Sequence, residues 1–104
     1  MGKVIWTEPA LADLREIRDF VAKDSPTYAA RLASRLVEAP RRLAQFDKSG
    51  QRVPEFDQDH IRELPVGSYR LIYVVRNGTC YIVAVVHGSR DLERVLKRED
   101  FERD

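Results

Sequence analysis

Apolar residues divide the chain into a strand, two helices, an irregular stretch and a run of strands. Val4-Ile5-Trp6 is a short apolar run that reads as a strand over residues 3–6. Thr7-Glu8-Pro9 opens a helix, with Thr7 as cap and Pro9 in the first turn. Leu11, Leu14, Ile17 and Val21 then recur at helical spacing, with Arg15, Glu16, Arg18 and Asp19 between them. A second start lies at Ser25-Pro26, after which Ala29, Leu32, Leu36, Ala39, Leu43 and Phe46 step by threes and fours. The short gap between the two patterns predicts an antiparallel helix hairpin. Pro40 should free the carbonyl of Leu36 and bend the second helix. Trp6 and Tyr28 read as core or seam residues.

From Asp47 to Gln58 the periodicity is lost, and Gly50, Pro54 and scattered charge mark a loop, with room for a short strand near Gln51-Arg52-Val53. Ile61–Leu64, Tyr69–Arg76 and Thr79–His87 follow as consecutive strands. Asn77-Gly78 between the last two is a strong two-residue hairpin signal and sets a register. Arg76 falls opposite Thr79, Ile72 opposite Val83, and Arg70 opposite Val85. One face then carries Arg70, Ile72, Val74, Tyr81, Val83, Val85 and His87. The other face is also largely apolar, so both should be covered: one by the helix hairpin, the other by the C-terminal segment or a partner. Arg70 and His87 would share a face as a diagonal pair roughly 7–8 Å apart. If Pro65–Ser68 is the preceding turn, with Leu64 opposite Tyr69, Glu63 lies directly across from Arg70 and pairs with it. That pair has an ordinary structural reading, a salt bridge at a strand end.

Composition narrows the class. A chain of 104 residues with 43% hydrophobic and 34% charged residues fits a single globular domain over 1–104. The alternating charges of 97–104 read as a solvated tail. The lone cysteine, Cys80, excludes an intrachain disulfide framework, and nothing groups His60 or His87 with carboxylates as a metal site. The first apolar run is too short for a signal peptide or a spanning helix, so a cytoplasmic home without membrane contact is expected. The net charge of +1 argues against a protein held on nucleic acid by bulk positive field. Fourteen of the 18 basic residues are Arg, a bias that fits either genome composition or bidentate contact with phosphate and carboxylate. There is no phosphate loop, HExxH motif or readable Ser/His/Asp arrangement, and no cofactor is expected.

The stretch Ile61-Arg62-Glu63-Leu64-Pro65-Val66-Gly67-Ser68-Tyr69-Arg70-Leu71-Ile72-Tyr73, followed by Val86-His87-Gly88-Ser89-Arg90-Asp91-Leu92, resembles the RelE/ParE toxin superfamily. The opening strand leading into Ala10-Leu11-Ala12-Asp13-Leu14 fits the same pattern, and the resemblance runs over nearly the whole chain. It implies an α+β domain of order β-α-α-β-β-β with a short C-terminal helix, and a twisted, mainly antiparallel sheet with the N-terminal strand at or near its edge. It also implies a type II toxin neutralised by a cognate antitoxin, which would add a helix and a strand. Leu14, Arg18, Val21 and Arg35 on the helix hairpin are the candidate antitoxin-binding residues.

Within that superfamily, RelE-like members cleave mRNA on the ribosome and ParE-like members inhibit DNA gyrase. The two lysines of RelE-like enzymes align here with Ile61 and Glu63, and an anionic Glu63 would repel a phosphate. Arg70 and Arg90 retain two arginine positions, but no tyrosine stands near Leu96 or after it. The histidine and the Arg-Asp-Leu run after the last strand resemble the ParE-like branch. Gyrase inhibition by protein–protein binding is therefore favoured, without a catalytic residue, through Arg90, Asp91, Leu92 and Arg94 in segment 88–98. Asp91 would cap a short helix reaching Leu96. As an alternative, a bulge before Pro65 would bring Arg62 to Arg70, His87 and Arg90 as a basic ribonuclease site, with His87 as acid or base. A third possibility is a domain that has lost toxicity and only binds the antitoxin.

Overall fold

The computed structural model describes residues 2–90 and residue 92. Strand β1 (Lys3–Trp6) leads into helix α1 (Glu8–Ala22) and helix α2 (Pro26–Glu38), followed by a 3-10 segment (Ala39–Ala44). Strands β2 (Gln51–Arg52), β3 (Ile61–Val66), β4 (Tyr69–Arg76) and β5 (Thr79–His87) complete it. The five strands form one sheet in the order β1-β5-β4-β3-β2. Only the β1–β5 pairing is parallel. The α+β order and the edge position of the N-terminal strand thus match the sequence pattern.

Local chemistry fixes the junctions. Thr7 caps α1 by accepting from the Ala10 N–H, and its hydroxyl and its N–H both donate to the Ile82 carbonyl. One residue therefore closes the first strand pairing and starts the helix. Ser25 caps α2 through the Tyr28 N–H. At Pro40 the α-helical ladder gives way to the 3-10 segment, which lets buried Pro40 and Leu43 turn into the core. The second helical seam stops there: Phe46, expected to continue it, is 62% exposed, and Tyr28, expected in core or seam, is 52% exposed.

The helix hairpin covers one face of the sheet. Leu32, Leu36, Leu43, Leu64, Leu71, Tyr73, Ile82 and Val85 are buried there, with Trp6, Leu14, Ile17 and Val21 packed around them. The opposite face has its own core of Val53, Phe56, Ile61, Ile72, Val74, Ala84, Val86 and Leu92. Its cover comes chiefly from the segment between β2 and β3, which lays Val53 and Phe56 on the sheet. Leu92 is the one described C-terminal residue to join it.

Two registers differ from the sequence expectation. Asn77 and Gly78 adopt positive φ values of 51° and 79°, and Arg76 pairs with Thr79, as the hairpin signal requires. After Tyr73↔Ile82, however, the next pair is Ile72↔Ala84, so Val83 is an extra residue in a β-bulge. Beyond it the faces of β5 exchange. Ala84 and Val86 join Ile72 and Val74, Val85 turns to the helix side, and Arg70 pairs with Val86 rather than Val85. In the β3–β4 hairpin the loop is Gly67-Ser68, with Val66 opposite Tyr69 and Leu64 opposite Leu71, not Tyr69. Pro65 fits inside β3 because β2 pairs only with residues 62 and 63, leaving Pro65 without a neighbour on its outer side. The slip is two residues, which preserves the face of every side chain.

Candidate functional site

Arg70 on β4 lies at the centre of a three-residue ionic clasp. Its Nε donates to Glu63 on β3, and its Nη1 and Nη2 form a fork of two 2.8 Å bonds with Glu55 from the covering segment. Glu63 is only 4% exposed, and its other oxygen accepts from Gln51 Nε2 at 3.1 Å. The expected Glu63–Arg70 pair therefore forms, but across a diagonal, because Glu63 faces Ile72 and Arg70 faces Pro65. The fork to Arg70 holds the Glu55 carboxyl below the usual range, and the two carboxylates raise the Arg70 pKa despite its partial burial. Two acids on one base leave the clasp locally negative, and every donor of Arg70 that faces them is engaged.

The basic cluster expected for RNA cleavage is not assembled. The β3–β4 ladder has no bulge, so Arg62 stays on the face opposite Arg70. It is tied to the carbonyls of Lys48, Gly50 and Asp59 and to the Asp59 carboxylate. The bulge at Val83 also separates His87 from Arg70: His87 pairs with Tyr69, and the two rings meet edge to face at 5.4 Å. The His87 ring is exposed, and its Nδ1 accepts from the Ser89 N–H. Arg90 is exposed just after β5. Ile61, at one of the two aligned lysine positions, is fully buried in the second core. No group of three His, Cys, Asp or Glu side chains suited to a metal occurs among the described residues.

Of the candidate target-binding residues, Arg90 is available at the surface, whereas Leu92 is fully buried in the second core. Asp91 and Arg94, with the helix expected through Leu96 and the tail 97–104, lie outside the described residues.

A groove of about 420 Å³ runs between α1 and the upper part of β5, lined by Asp13, Ile17, Phe20, Tyr69, Val85 and His87 among others. Its rim carries Phe20, 68% exposed. Its floor exists because β1 ends opposite Ile82 while β5 continues to His87, leaving that upper edge without a strand neighbour among the described residues. Asp13 reaches across from α1 to accept the Val85 N–H at 3.0 Å, and burial pushes its carboxyl pKa up. Sequence reasoning placed antitoxin contact on Leu14, Arg18, Val21 and Arg35. Leu14 and Val21 are half-buried against the first core, Arg18 is exposed and paired with Asp19, and Arg35 lies on α2 beside the Gly67 turn. The groove residues Ile17, Phe20 and Tyr69 were missed. The signal for Phe20 was an aromatic on α1 set off the Leu11–Leu14–Val21 stripe.

Comparison with known proteins agrees with this architecture. Residues 4–92 match the family model described as the ParE toxin of the type II toxin–antitoxin system, parDE. The chain is 38% identical over 91 residues to "Toxin RelE2" of Caulobacter vibrioides, covering 86% of this chain and 99% of that one. It is 30% identical over 97 residues to "Putative toxin Y4kP" of Sinorhizobium fredii, covering 90% and 96% respectively. Among solved structures, a chain of the chromosomal ParDE system from P. aeruginosa superposes with a TM-score of 0.70 at 24% identity, over 84% of this chain and 96% of that one. A chain of the RelBE2 toxin–antitoxin complex from Mycobacterium tuberculosis gives 0.52 at 21%, over 83% and 96%. At these identities both structures speak to the fold alone.

Proposed function

We propose, from the premise that this chain belongs to the ParE toxin family of type II toxin–antitoxin systems, that it inhibits DNA gyrase by protein–protein binding and performs no cleavage itself. The observation that carries this reading is the Arg70 clasp. An RNA-cutting site needs unengaged cations where the scissile phosphate sits. Here the arginine at that place is held by Glu55 and Glu63, and the neighbouring Arg62 is spent on loop carbonyls. Arg90 and the segment that continues through Asp91 and Arg94 are the proposed gyrase contact.

The cognate antitoxin is proposed to occupy the α1–β5 groove. An apolar anchor beside Phe20 and Ile17 would supply the buried contact that gives such interfaces most of their affinity. Leu14, Arg18 and Val21 on the same helix would border it. The protein is proposed to act in the cytoplasm, without cofactor. Among the described residues no helix is long and apolar enough to cross a membrane.

A second reading, ribosome-dependent mRNA cleavage, is favoured by one observation, the RelE2 designation of the 38% identical relative. A parallel assay separates the two. The toxin is co-purified with its antitoxin, stripped in denaturant and refolded, then added to gyrase with relaxed plasmid and, separately, to translating ribosomes. Loss of supercoiling without codon-specific cuts supports the proposal. Cuts in translated message with gyrase unaffected overturn it in favour of the second reading, and inactivity in both arms overturns both.

A further inference from the structure

The stretch from 25 to 46, which forms α2 and the 3-10 segment, has a charge balance unlike the rest of the chain. It holds four arginines, Arg31, Arg35, Arg41 and Arg42, but of the protein's 17 acidic residues only Glu38. Glu38 is taken by Arg41 at 3.0 Å. Arg31, Arg35 and Arg42 are exposed and have no acidic partner among the described residues. Elsewhere Arg18, Lys48, Arg52, Arg62 and Arg70 are each paired with a carboxylate. The basic residues there without such a pair among the described residues, Lys3, Arg15, Lys23 and Arg90, are scattered over other elements rather than aligned.

The three unpaired arginines follow one flank of the helical layer. Arg31 and Arg35 are a turn apart, about 6 Å along the axis. At about 100° per residue, Tyr28, Arg31 and Arg35 project within about 60° of one another. Arg35 stands over the β3–β4 turn, where a Cβ at Gly67 would lie 3.5 Å from its Nη1. Arg42 follows on the 3-10 segment, near enough to Tyr73 to exert a weak opposing pull on a hydroxyl whose pKa burial raises. The line thus starts at exposed Tyr28, passes the β3–β4 turn at Arg35 and continues to Arg42, and none of these four residues lines the α1–β5 groove.

We propose that the Tyr28–Arg31–Arg35–Arg42 flank of α2 and the 3-10 segment is a docking surface for the phosphodiester backbone of nucleic acid. Guanidinium groups in a row suit successive phosphates through forked hydrogen bonds, and Tyr28 offers an aromatic face to a base at one end. An acidic peptide would match the charge but leave Tyr28 without a stacking partner. The net charge of +1 does not oppose this, because the field that an approaching phosphate meets is set by nearby charges within a Debye length. The surface is separate from the Arg70 clasp, so the inference holds whether or not gyrase is the target.

The test is fluorescence anisotropy on the refolded full chain with labelled single-stranded RNA, single-stranded DNA and duplex DNA of equal length, titrated at several salt concentrations. Three phosphate contacts predict a slope of log K against log salt of about −2 for a single strand and about −2.7 for a duplex. R31Q/R35Q/R42Q should weaken binding about tenfold at low salt and flatten the slope towards zero. R41Q, which removes an arginine already paired with Glu38, should leave both unchanged. The arm that binds tightest identifies the nucleic acid, and selective weakening of the single-strand arms by Y28A supports stacking. Binding by the triple variant with the wild-type affinity and slope would overturn the proposal. So would tighter binding of a polyglutamate peptide than of every nucleic acid arm, which would assign the surface to an acidic protein. Circular dichroism of each variant checks that the fold is intact.

Discussion

Glu63 and Arg70 are joined across a diagonal of the β3–β4 ladder, the carboxylate 4% exposed and the guanidinium shared with Glu55. A carboxylate in that position is stable only with its counter-charge, so removing Arg70 strands it. R70M should lower unfolding free energy by about 3–5 kcal/mol, and E63L/R70M should recover much of that loss, because an apolar pair leaves no uncompensated charge. Urea denaturation of the two variants checks this. Equal destabilisation of both would show that the ion pair itself, rather than the orphaned carboxylate, dominates.

The clasp and the groove titrate with opposite signs. Glu55 is held below its ordinary range by the fork to Arg70, so its contribution is present above the unfolded pKa and is lost as pH falls through the folded one. Asp13 is pushed up, chiefly by burial, so its contribution is full below the unfolded pKa and is lost as pH rises through the folded value. E55Q should therefore flatten the acid limb of a stability profile taken from about pH 3 to pH 7. D13N, whose amide oxygen still accepts from Val85, should gain relative stability towards neutral pH.

Tyr73 is fully buried, and its hydroxyl accepts the Gly50 N–H at 3.0 Å. Y73F leaves that N–H without an acceptor and should cost about 1–2 kcal/mol. G50A should cost more, about 3 kcal/mol, because the added Cβ would lie 2.5 Å from the Glu63 carbonyl oxygen and 2.7 Å from the Tyr73 hydroxyl. Thermal melts rank the pair, and G50A milder than Y73F would contradict the crowding.

Phe20 is 68% exposed, so F20D should leave stability within about 0.5 kcal/mol of the parent. If the groove receives the antitoxin, the same change should weaken the complex by about 2 kcal/mol, roughly 30-fold. Calorimetric titration of the antitoxin reads this directly, and unchanged affinity would move the interface elsewhere.

Much of the fold was legible because its signals are local. Thr7 and Ser25 at the helix starts and Asn77-Gly78 at the last turn each act within a few residues, and all three do what their chemistry dictates. The errors arose where a tertiary choice intervened. A run apolar on both faces, such as Tyr81–Val86, carries no mark of an extra residue, so the bulge at Val83 was invisible and reversed the expected faces of residues 84–87. The Glu63–Arg70 pair survived a wrong register only because a slip of two preserves faces. Glu55 was missed as the second partner of Arg70 since it comes from a segment read as a loop with only a short strand near residues 51–53. Val53 and Phe56, two apolar residues three apart within that segment, were the available hint that it folds onto the sheet.

The carboxylate of Asp13 on the Val85 N–H has a consequence for assembly. An unneighboured strand edge invites any extended chain to zip onto it, and that invitation underlies unwanted self-association. Here α1 plugs the vacancy with one of its own side chains, so a newcomer must first evict Asp13 and satisfy Val85 itself. Only a segment that also fills the neighbouring apolar hollow recoups that penalty, which turns a generic sticky border into a lock with few keys.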